Sequence, residues 1–231
     1  MTTDLGALVI AIDGTAGSGK SSASRGVAHE LGLRYLDTGA MYRAMTWHML
    51  LDGVDVNDAD AVARHADSAV IASGTNPELA TISLNGRDVS REIRSDQVTA
   101  TVSPVSAVPH VRELLVAQQR GIIGRGGIVV EGRDIGTVVA PQAALKVYLS
   151  ADPAARAHRR SSELARSSAT DVATVEAALR ERDAYDSGRP TAPLSAARDA
   201  VAIDSTHLSL REVIAEIVGL ARERVSGSTD V

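Results

Sequence analysis

The 231-residue chain contains no cysteine and no phenylalanine. The first absence excludes disulfides, thiolate zinc sites and cysteine nucleophiles, and it accords with a reducing compartment. Aromatic residues make up only 2% of the chain, one Trp (Trp47) and four Tyr. That is too few to build a stacking surface for single-stranded nucleic acid. Lysine is nearly missing too, since the 24 basic side chains include only Lys20 and Lys146 as lysines. In such a chain arginine abundance carries no functional message by itself, whereas a retained lysine is a sharper marker. There is no excess of positive charge: the net charge of −5 gives no bulk attraction to nucleic acid or to an anionic membrane. No run approaches the ~18 apolar residues of a membrane span. The start Met1-Thr2-Thr3-Asp4 lacks the basic residues of a signal peptide. These absences predict a cytoplasmic protein with neither nucleic acid nor membrane as partner.

What is present is an ordinary globular composition, 44% hydrophobic and 23% charged, in a length that suits one α/β domain with a small insert. Short apolar runs at Leu8–Asp13, Leu33–Asp37, Ile128–Glu131, Leu145–Ser150 and Ala200–Asp204 lack clean alternation, as strands covered on both faces do. Helical stretches lie between them: Ser21–Leu31 closed by Gly32, Gly39–Leu51, and Pro109–Ile123. Asp152-Pro153 is a cap and first-turn pair for another helix, and Ser209 to Glu212 has capping-box spacing. Strands alternating with helices imply parallel pairing through right-handed crossovers, hence a three-layer α/β core around a parallel five-stranded sheet. One segment, about Ser68 to Ser95, reads as β instead. Its Asn85-Gly86 pair is a hairpin signal because both central turn residues favour positive φ. An antiparallel insert on the core follows. Ser226–Val231 reads as a frayed tail.

The chemistry begins at Gly14-Thr15-Ala16-Gly17-Ser18-Gly19-Lys20-Ser21, which matches the phosphate-binding P-loop between a strand and a helix. Its glycines let backbone N–H groups converge on phosphate oxygens, and the helix N-terminus adds a favourable dipole. Lys20 would reach the β- and γ-phosphates, and Ser21 or Ser22 would hold Mg²⁺. A nucleoside triphosphate is implied, but three classes remain: small-molecule kinase, molecular switch, and motor ATPase. The chain is short for a motor. A guanine switch needs an Asn-Lys-x-Asp motif, and the second lysine, Lys146, is followed by Val147-Tyr148.

Arginines favour the kinase, because phosphoryl transfer is mainly positioning and charge neutralisation. Arg156, Arg159 and Arg160 share a helical face. Arg180, Arg182 and Arg189 flank another helix end, beside Asp183 and Asp186. Either cluster alone is readable as a solvated face; with a P-loop they suggest a lid that excludes water. Thr38 is positioned to cap the second helix, with Arg43 a turn further on. Ser103 and Arg112 bracket Pro104 and Pro109, and Arg133-Asp134 leaves the C-terminal end of a strand, where ligands of open α/β sheets collect.

This ordered set resembles the bacterial cytidylate kinase family from about Leu8 to Val225. The matching elements include Leu36-Asp37-Thr38-Gly39-Ala40-Met41-Tyr42-Arg43, Val89-Ser90-Arg91-Glu92-Ile93-Arg94, Val108-Pro109-His110-Val111-Arg112, Glu131-Gly132-Arg133-Asp134, Ala157-His158-Arg159-Arg160, and Arg182-Asp183-Ala184-Tyr185-Asp186 with Arg189. The resemblance implies ATP-dependent phosphorylation of CMP and dCMP with Mg²⁺, and a monomer is the expected state. It implies a core formed by residues 1–61 and 102–231, a monophosphate-binding insert at 62–101, and a helical lid at about 151–166. By the same resemblance Thr38, Ser103, Arg112 and Asp134 contact the cytosine or its approach. Arg43, Arg133 and Arg189 hold the acceptor phosphate, and Arg182 and Asp186 serve the sugar and phosphate region. Lys20, Arg133, Arg159 and Arg182 are the expected catalytic residues, with Arg156 and Arg160 joining the P-loop at the donor nucleotide. This chain departs from the family pattern at Thr38, where Ser is common, at Ser21-Ser22, where Gly-Thr is common, and at Glu131, where Asp is common. Other small-molecule kinases, acting on UMP, AMP or shikimate, are the alternative enzymes, and a non-catalytic nucleotide sensor is the alternative of another class.

Overall fold

The apolar runs form the strands they suggest, and the reason for their weak alternation is visible in the packing. In chain order the strands are β1 (Val9–Gly14), β2 (Arg34–Asp37), β3 (Ile71–Ser73), β4 (Ile82–Leu84), β5 (Arg87–Asp88), β6 (Ile128–Gly132), β7 (Leu145–Ser150) and β8 (Val201–Asp204). The computed structural model describes residues 5–164, 172–189 and 191–226. The N-terminal residues 1–4, positions 165 and 166 of the expected lid, and the tail at 227–231 lie outside the described residues. Five strands make a parallel sheet in the order β2-β6-β1-β7-β8. Along β1, Ile10 and Ile12 enter one core while Ala11 enters the other; along β6, Val129 and the pair Ile128 and Val130 divide likewise. Both faces are therefore apolar, and no polar residue is needed at alternate positions.

Helices cover the two faces. On one side lie α1 (Lys20–Leu31) and α8 (Leu210–Ser226), which pack together over Ile10, Ile12 and Val147. On the other lie α2 (Thr38–Leu51), α3 (Ala59–Ala66), α4 (Asp96–Ala107) and α5 (Pro109–Ile123). Then α6 (Pro153–Leu164) and α7 (Val172–Gly188) pack on each other beyond β7. The capping box before α8 closes reciprocally: the Glu212 carboxylate accepts from Ser209 N (2.8 Å) and Ser209 Oγ accepts from Glu212 N (3.3 Å). One cap differs from expectation. Asp37, not Thr38, caps α2, its Oδ1 accepting from Ala40 N (2.9 Å), while the Thr38 hydroxyl donates to the Glu131 carbonyl (2.7 Å).

The small antiparallel sheet has the order β3-β4-β5 and turns at Asn85 (φ 50°) and Gly86 (φ 80°). Its strands span only 71–88, whereas α3 and α4 occupy 59–66 and 96–107. The expected insert limits, Val62 and Thr101, thus fall inside helices. Ile71, Ile82 and Leu84 share one apolar cluster with Met45 and Met49 of α2, so the sheet is joined to the main core.

Candidate active site

The P-loop lies between β1 and α1 and needs glycine at two marked points. Gly14 has φ +148°, and a Cβ there would meet the Leu149 carbonyl oxygen at 1.9 Å; Gly19 has φ +88° and begins α1. Lys20 is 6% exposed and turns its Nζ onto the Thr15 carbonyl oxygen (2.5 Å) and Ser18 Oγ (3.4 Å). Burial, and after it the Arg133 guanidinium, holds this ammonium well below the ordinary lysine range. Beside it Ser21 Oγ donates to Glu131 Oε2 (3.0 Å), and the Tyr35 hydroxyl donates to Glu131 Oε1 (2.5 Å). Burial and the nearby Asp37 push the Glu131 carboxyl up.

A second set of side chains brings cations together around one acid. Asp186, almost fully buried, accepts from Arg133 Nε (3.2 Å) and lies 4.0 Å from Arg182 Nε, while its backbone carbonyl accepts from Arg189 Nε (3.2 Å). Arg189 also donates to Ser106 Oγ (3.3 Å). From α2, Arg43 donates to Thr99 Oγ1 (2.9 Å) and the Ile93 carbonyl (3.2 Å). Burial, then Arg182, lowers the Arg43 pKa to about 9; burial, then Arg133, lowers that of Arg182 to about 10. These cations oppose one another, and Arg182 Nε is a buried donor with no hydrogen-bond acceptor among the described residues. Such a nest is chemically matched to phosphate. Deeper still, Arg112 Nη2 donates to Asp134 Oδ2, both side chains being buried, and the guanidinium lies over the Tyr42 ring at 5.4 Å.

All of this faces one cleft of about 1930 Å³. The cleft brings together Ala16, Gly17, Ser18, Gly19, Lys20, Ser21 and Ser22 with Thr38, Arg43, Ser103, Arg112, Arg133, Asp134, Arg159, Arg160, Arg182, Asp186 and Arg189. Three expected residues do not line it. Gly14 and Thr15, at the start of the loop, do not reach the cleft, and Arg156 turns the other way. Arg156 donates to the Ala151 carbonyl (2.9 Å), the Ala16 carbonyl (3.0 Å) and Asp183 Oδ2, and Asp183 Oδ1 accepts from Ala16 N (3.0 Å). Arg159 donates to Ser205 Oγ (2.9 Å) and the Ser18 carbonyl (3.4 Å). The helix face carrying Arg156 and Arg159 is therefore clamped to the P-loop rather than solvated.

Comparison with known proteins then decides the family. The cytidylate kinase family model matches residues 10–223. The chain is 54% identical over 215 residues to a cytidylate kinase of Streptomyces griseus subsp. griseus, covering 92% of each chain. It is 50% identical to that of Rhodococcus opacus and 49% to that of Mycobacterium leprae, each covering 94% of this chain and 96% of the other. The chain belongs to the cytidylate kinase family. It is thus a nucleoside monophosphate kinase, a phosphotransferase that takes small nucleotides and a nucleotide phosphoryl donor. A gluconokinase from Sinorhizobium meliloti shares the fold, with a TM-score of 0.53, 13% identity and 96% coverage of both chains.

Against that family background, two acids that the sequence did not single out as site residues take on meaning. Asp13, the penultimate residue of β1, has both carboxylate oxygens accepting backbone N–H groups, from Ile135 and Gly136 at 2.8 Å each. Burial pushes its pKa up to about 6 despite those bonds. It ties the P-loop strand to the loop bearing Arg133 and Asp134. The sequence signal was its position next to the P-loop, on a strand otherwise apolar. Asp183 was visible only as a neighbour of Arg182. The second lysine proves structural: Lys146 Nζ donates to both oxygens of Asp199 (2.8 and 2.9 Å) outside the cleft. For a divalent cation, Ser21 Oγ and the adjacent Glu131 carboxylate supply the hard oxygen donors that Mg²⁺ takes. The oxygen donors beside Lys20 fit the ion.

Proposed function

We propose that this chain phosphorylates CMP and dCMP with ATP as donor and Mg²⁺ as the accompanying ion. The single observation that carries the reading is the buried Arg112–Asp134 pair opening on the same cleft as the P-loop, with the arginine nest between them. Lys20 and the backbone of Gly17 to Ser21 would hold the β- and γ-phosphates. Arg43, Arg133 and Arg189 would hold the acceptor phosphate, and Arg182 with Asp186 would span the gap. Thr38 and Ser103 line the approach to the base. Ser21 and Glu131 would hold Mg²⁺, which screens the triphosphate charge when bound.

The acceptor needs no general base, because a phosphate oxygen of CMP is already anionic at neutral pH. It attacks the γ-phosphorus, the bond to the β,γ-bridging oxygen breaks, and ADP leaves with that oxygen's electron pair. The protein's share is alignment of two anions and neutralisation of the charge between them. Guanidinium groups suit this because they stay charged and bind two oxygens at once. Arg159, bonded to the P-loop carbonyl of Ser18 and to Ser205, would bring α6 down on the donor with Arg160, and Arg156 supports the P-loop from behind. We take the insert, whose strands span 71–88, and the α6 region up to Leu164 as the segments that move onto acceptor and donor. We assign a monomer and the cytoplasm as its compartment.

An ADP-release assay with a panel of acceptors tests the reading. CMP and dCMP should support turnover, with kcat/KM for UMP lower by at least ~100-fold and AMP and shikimate inactive. Equal use of UMP and CMP, or ATP binding without turnover of any acceptor, would overturn it.

A further inference from the structure

The end of α2 remote from the P-loop carries a cluster that the cleft does not use. His48 and Asp52 lie one turn apart there, and His65 is in the last turn of α3. His48 is 5% exposed, whereas the side chains of Asp52 and His65 are 43% and 33% exposed, so the cluster opens to solvent on one side. His65 Nε2 lies 2.6 Å from Asp52 Oδ2, and His48 Nδ1 lies 3.7 Å from the same oxygen. The imidazoles stack with centroids 4.8 Å apart. One ligand atom from each of the three side chains lies within 4.8 Å of the other two.

Ser68 fixes the protons. Its Oγ meets both His48 Nε2 (2.7 Å) and the His65 carbonyl oxygen (2.7 Å). A carbonyl only accepts, so both contacts are satisfied together when the hydroxyl donates to the carbonyl and accepts from His48 Nε2–H. Neutral His48 then turns a bare Nδ1 toward the Asp52 carboxylate, one lone pair facing another. An imidazole held from behind by a hydroxyl, with its free nitrogen facing a carboxylate and a second imidazole, is arranged as metal-ligating histidines are.

We propose that His48 Nδ1, Asp52 Oδ2 and His65 Nε2 form a binding site for a borderline divalent transition metal, Zn²⁺ being the best match, with water completing the shell. Two imidazoles and one carboxylate suit zinc better than Mg²⁺ or Ca²⁺. Ligands at zinc distances on a tetrahedron sit about 3.3 Å apart, between the 2.6 and 3.7 Å found here. The proton on His65 Nε2 leaves that nitrogen when the metal takes it, passing to Nδ1 of a neutral ring or to solvent from an imidazolium. The ion would pin α3 to α2, the helix that carries Thr38 and Arg43 at its other end. His110 offers no comparable site: Asp67 meets its Nε2 (3.1 Å) and Glu113 its Nδ1 (3.7 Å), on opposite ring edges.

The test is titration of the chelator-stripped, nucleotide-free full chain with ZnCl₂, followed by calorimetry and by imidazole nitrogen NMR. One equivalent should shift the His48 and His65 ring resonances, and zinc at 100 times its Kd should raise Tm by about 5 °C. MgCl₂ should do neither. Because His48 is buried, the variants are made at exposed positions: Asp52→Asn and His65→Gln should each weaken zinc at least ~10-fold, and Ser68→Ala about 10-fold. His110→Gln should leave the affinity unchanged. The proposal fails if one equivalent leaves the two ring resonances unmoved, if Mg²⁺ moves them equally, or if Asp52→Asn and His65→Gln bind zinc as the unmodified chain does.

Discussion

Asp134→Asn puts the proposed base reading at greatest risk. Asp134 and Arg112 are each 4% exposed; Arg112 bonds Asp134 Oδ2 on one side and the Ser106 carbonyl (3.2 Å) on the other. Burial raises the Asp134 carboxyl and Arg112 is the largest influence opposing it. Removal of the side chain would strand a buried guanidinium at a cost of about 3–5 kcal/mol, so Asp134→Ala would confuse unfolding with loss of recognition. The isosteric Asn keeps a carbonyl for Arg112 and replaces an acceptor by an NH₂ donor. Cytosine offers an amine donor at position 4, so it loses a charge-assisted bond of about 1.5–3 kcal/mol, a fall of about 10–150-fold in kcat/KM. Uracil offers a carbonyl acceptor at position 4 and now meets a donor, so its kcat/KM should hold or rise. The CMP-to-UMP ratio should therefore shrink at least ~10-fold. ADP release at saturating ATP and subsaturating acceptor measures both values, and a thermal melt checks that the variant is folded. An unchanged ratio, or equal losses for both acceptors, would mean that Asp134 positions Arg112 and does not read the base.

Lys20→Met should lower kcat by about 10²–10³-fold without lowering Tm, because the lost ammonium was buried and held below its ordinary range; kcat within tenfold of the unmodified chain would remove Lys20 from the transfer step. Asp183→Leu should destabilise by about 3–5 kcal/mol by leaving the Arg156 charge unpaired, and adding Arg156→Met should restore much of it; urea unfolding of the unmodified chain, both single variants and the double variant closes the cycle, and a double variant no better than Asp183→Leu would break the argument. Asp13 supplies a pH dependence: its pKa rises from 3.8 unfolded to about 6 folded, so between these values the native state holds the extra proton. Its contribution to stability is thus unpenalised below about pH 4 and falls by on the order of 3 kcal/mol as pH rises to about 6. Urea unfolding across that range should lose this slope in Asp13→Asn; an identical slope in both proteins would refute it.

Strands and P-loop were readable because each depends on local chemistry, a short apolar run or a fixed order of glycines. Helix α4 was not assigned and α7 was marked only by its arginine-bearing end, and both hide their signal. Helix α4 contains Pro104 and several β-branched residues, which argue against a helix until Val98, Val102 and Val105 are seen buried on one face. Helix α7 buries Val175 and Asp186, so its inner face is partly ionic and leaves a weak apolar stripe. In the site, residue types were legible and directions were not. Asp37 and Thr38 are both capping residues, and the contest between them is settled by the Glu131 carbonyl, 93 residues away, which accepts the Thr38 hydroxyl. Arg156 and Arg160 share a helical face by spacing, yet only Arg160 reaches the cleft, because Asp183 and the Ala16 carbonyl draw Arg156 aside.

The charge arrangement gives the site a direction of work. Lys20, Arg43 and Arg182 are all buried enough for their charged forms to be disfavoured, and each is further opposed by the charge of a neighbouring arginine. Asp186 is the acid that Arg133 and Arg182 share. Closing the cleft further with no anion inside would deepen both penalties, desolvation and mutual repulsion. Phosphate reverses the sign of the second term and offsets the first. On the proposed reading a donor triphosphate neutralises Lys20 and the α6 side, but Arg43 stays opposed by Arg182, and Arg189 by Arg133, until the acceptor phosphate arrives. Full closure, and with it the exclusion of water, then depends on both nucleotides, so the arginines that bind the acceptor also guard the donor against hydrolysis.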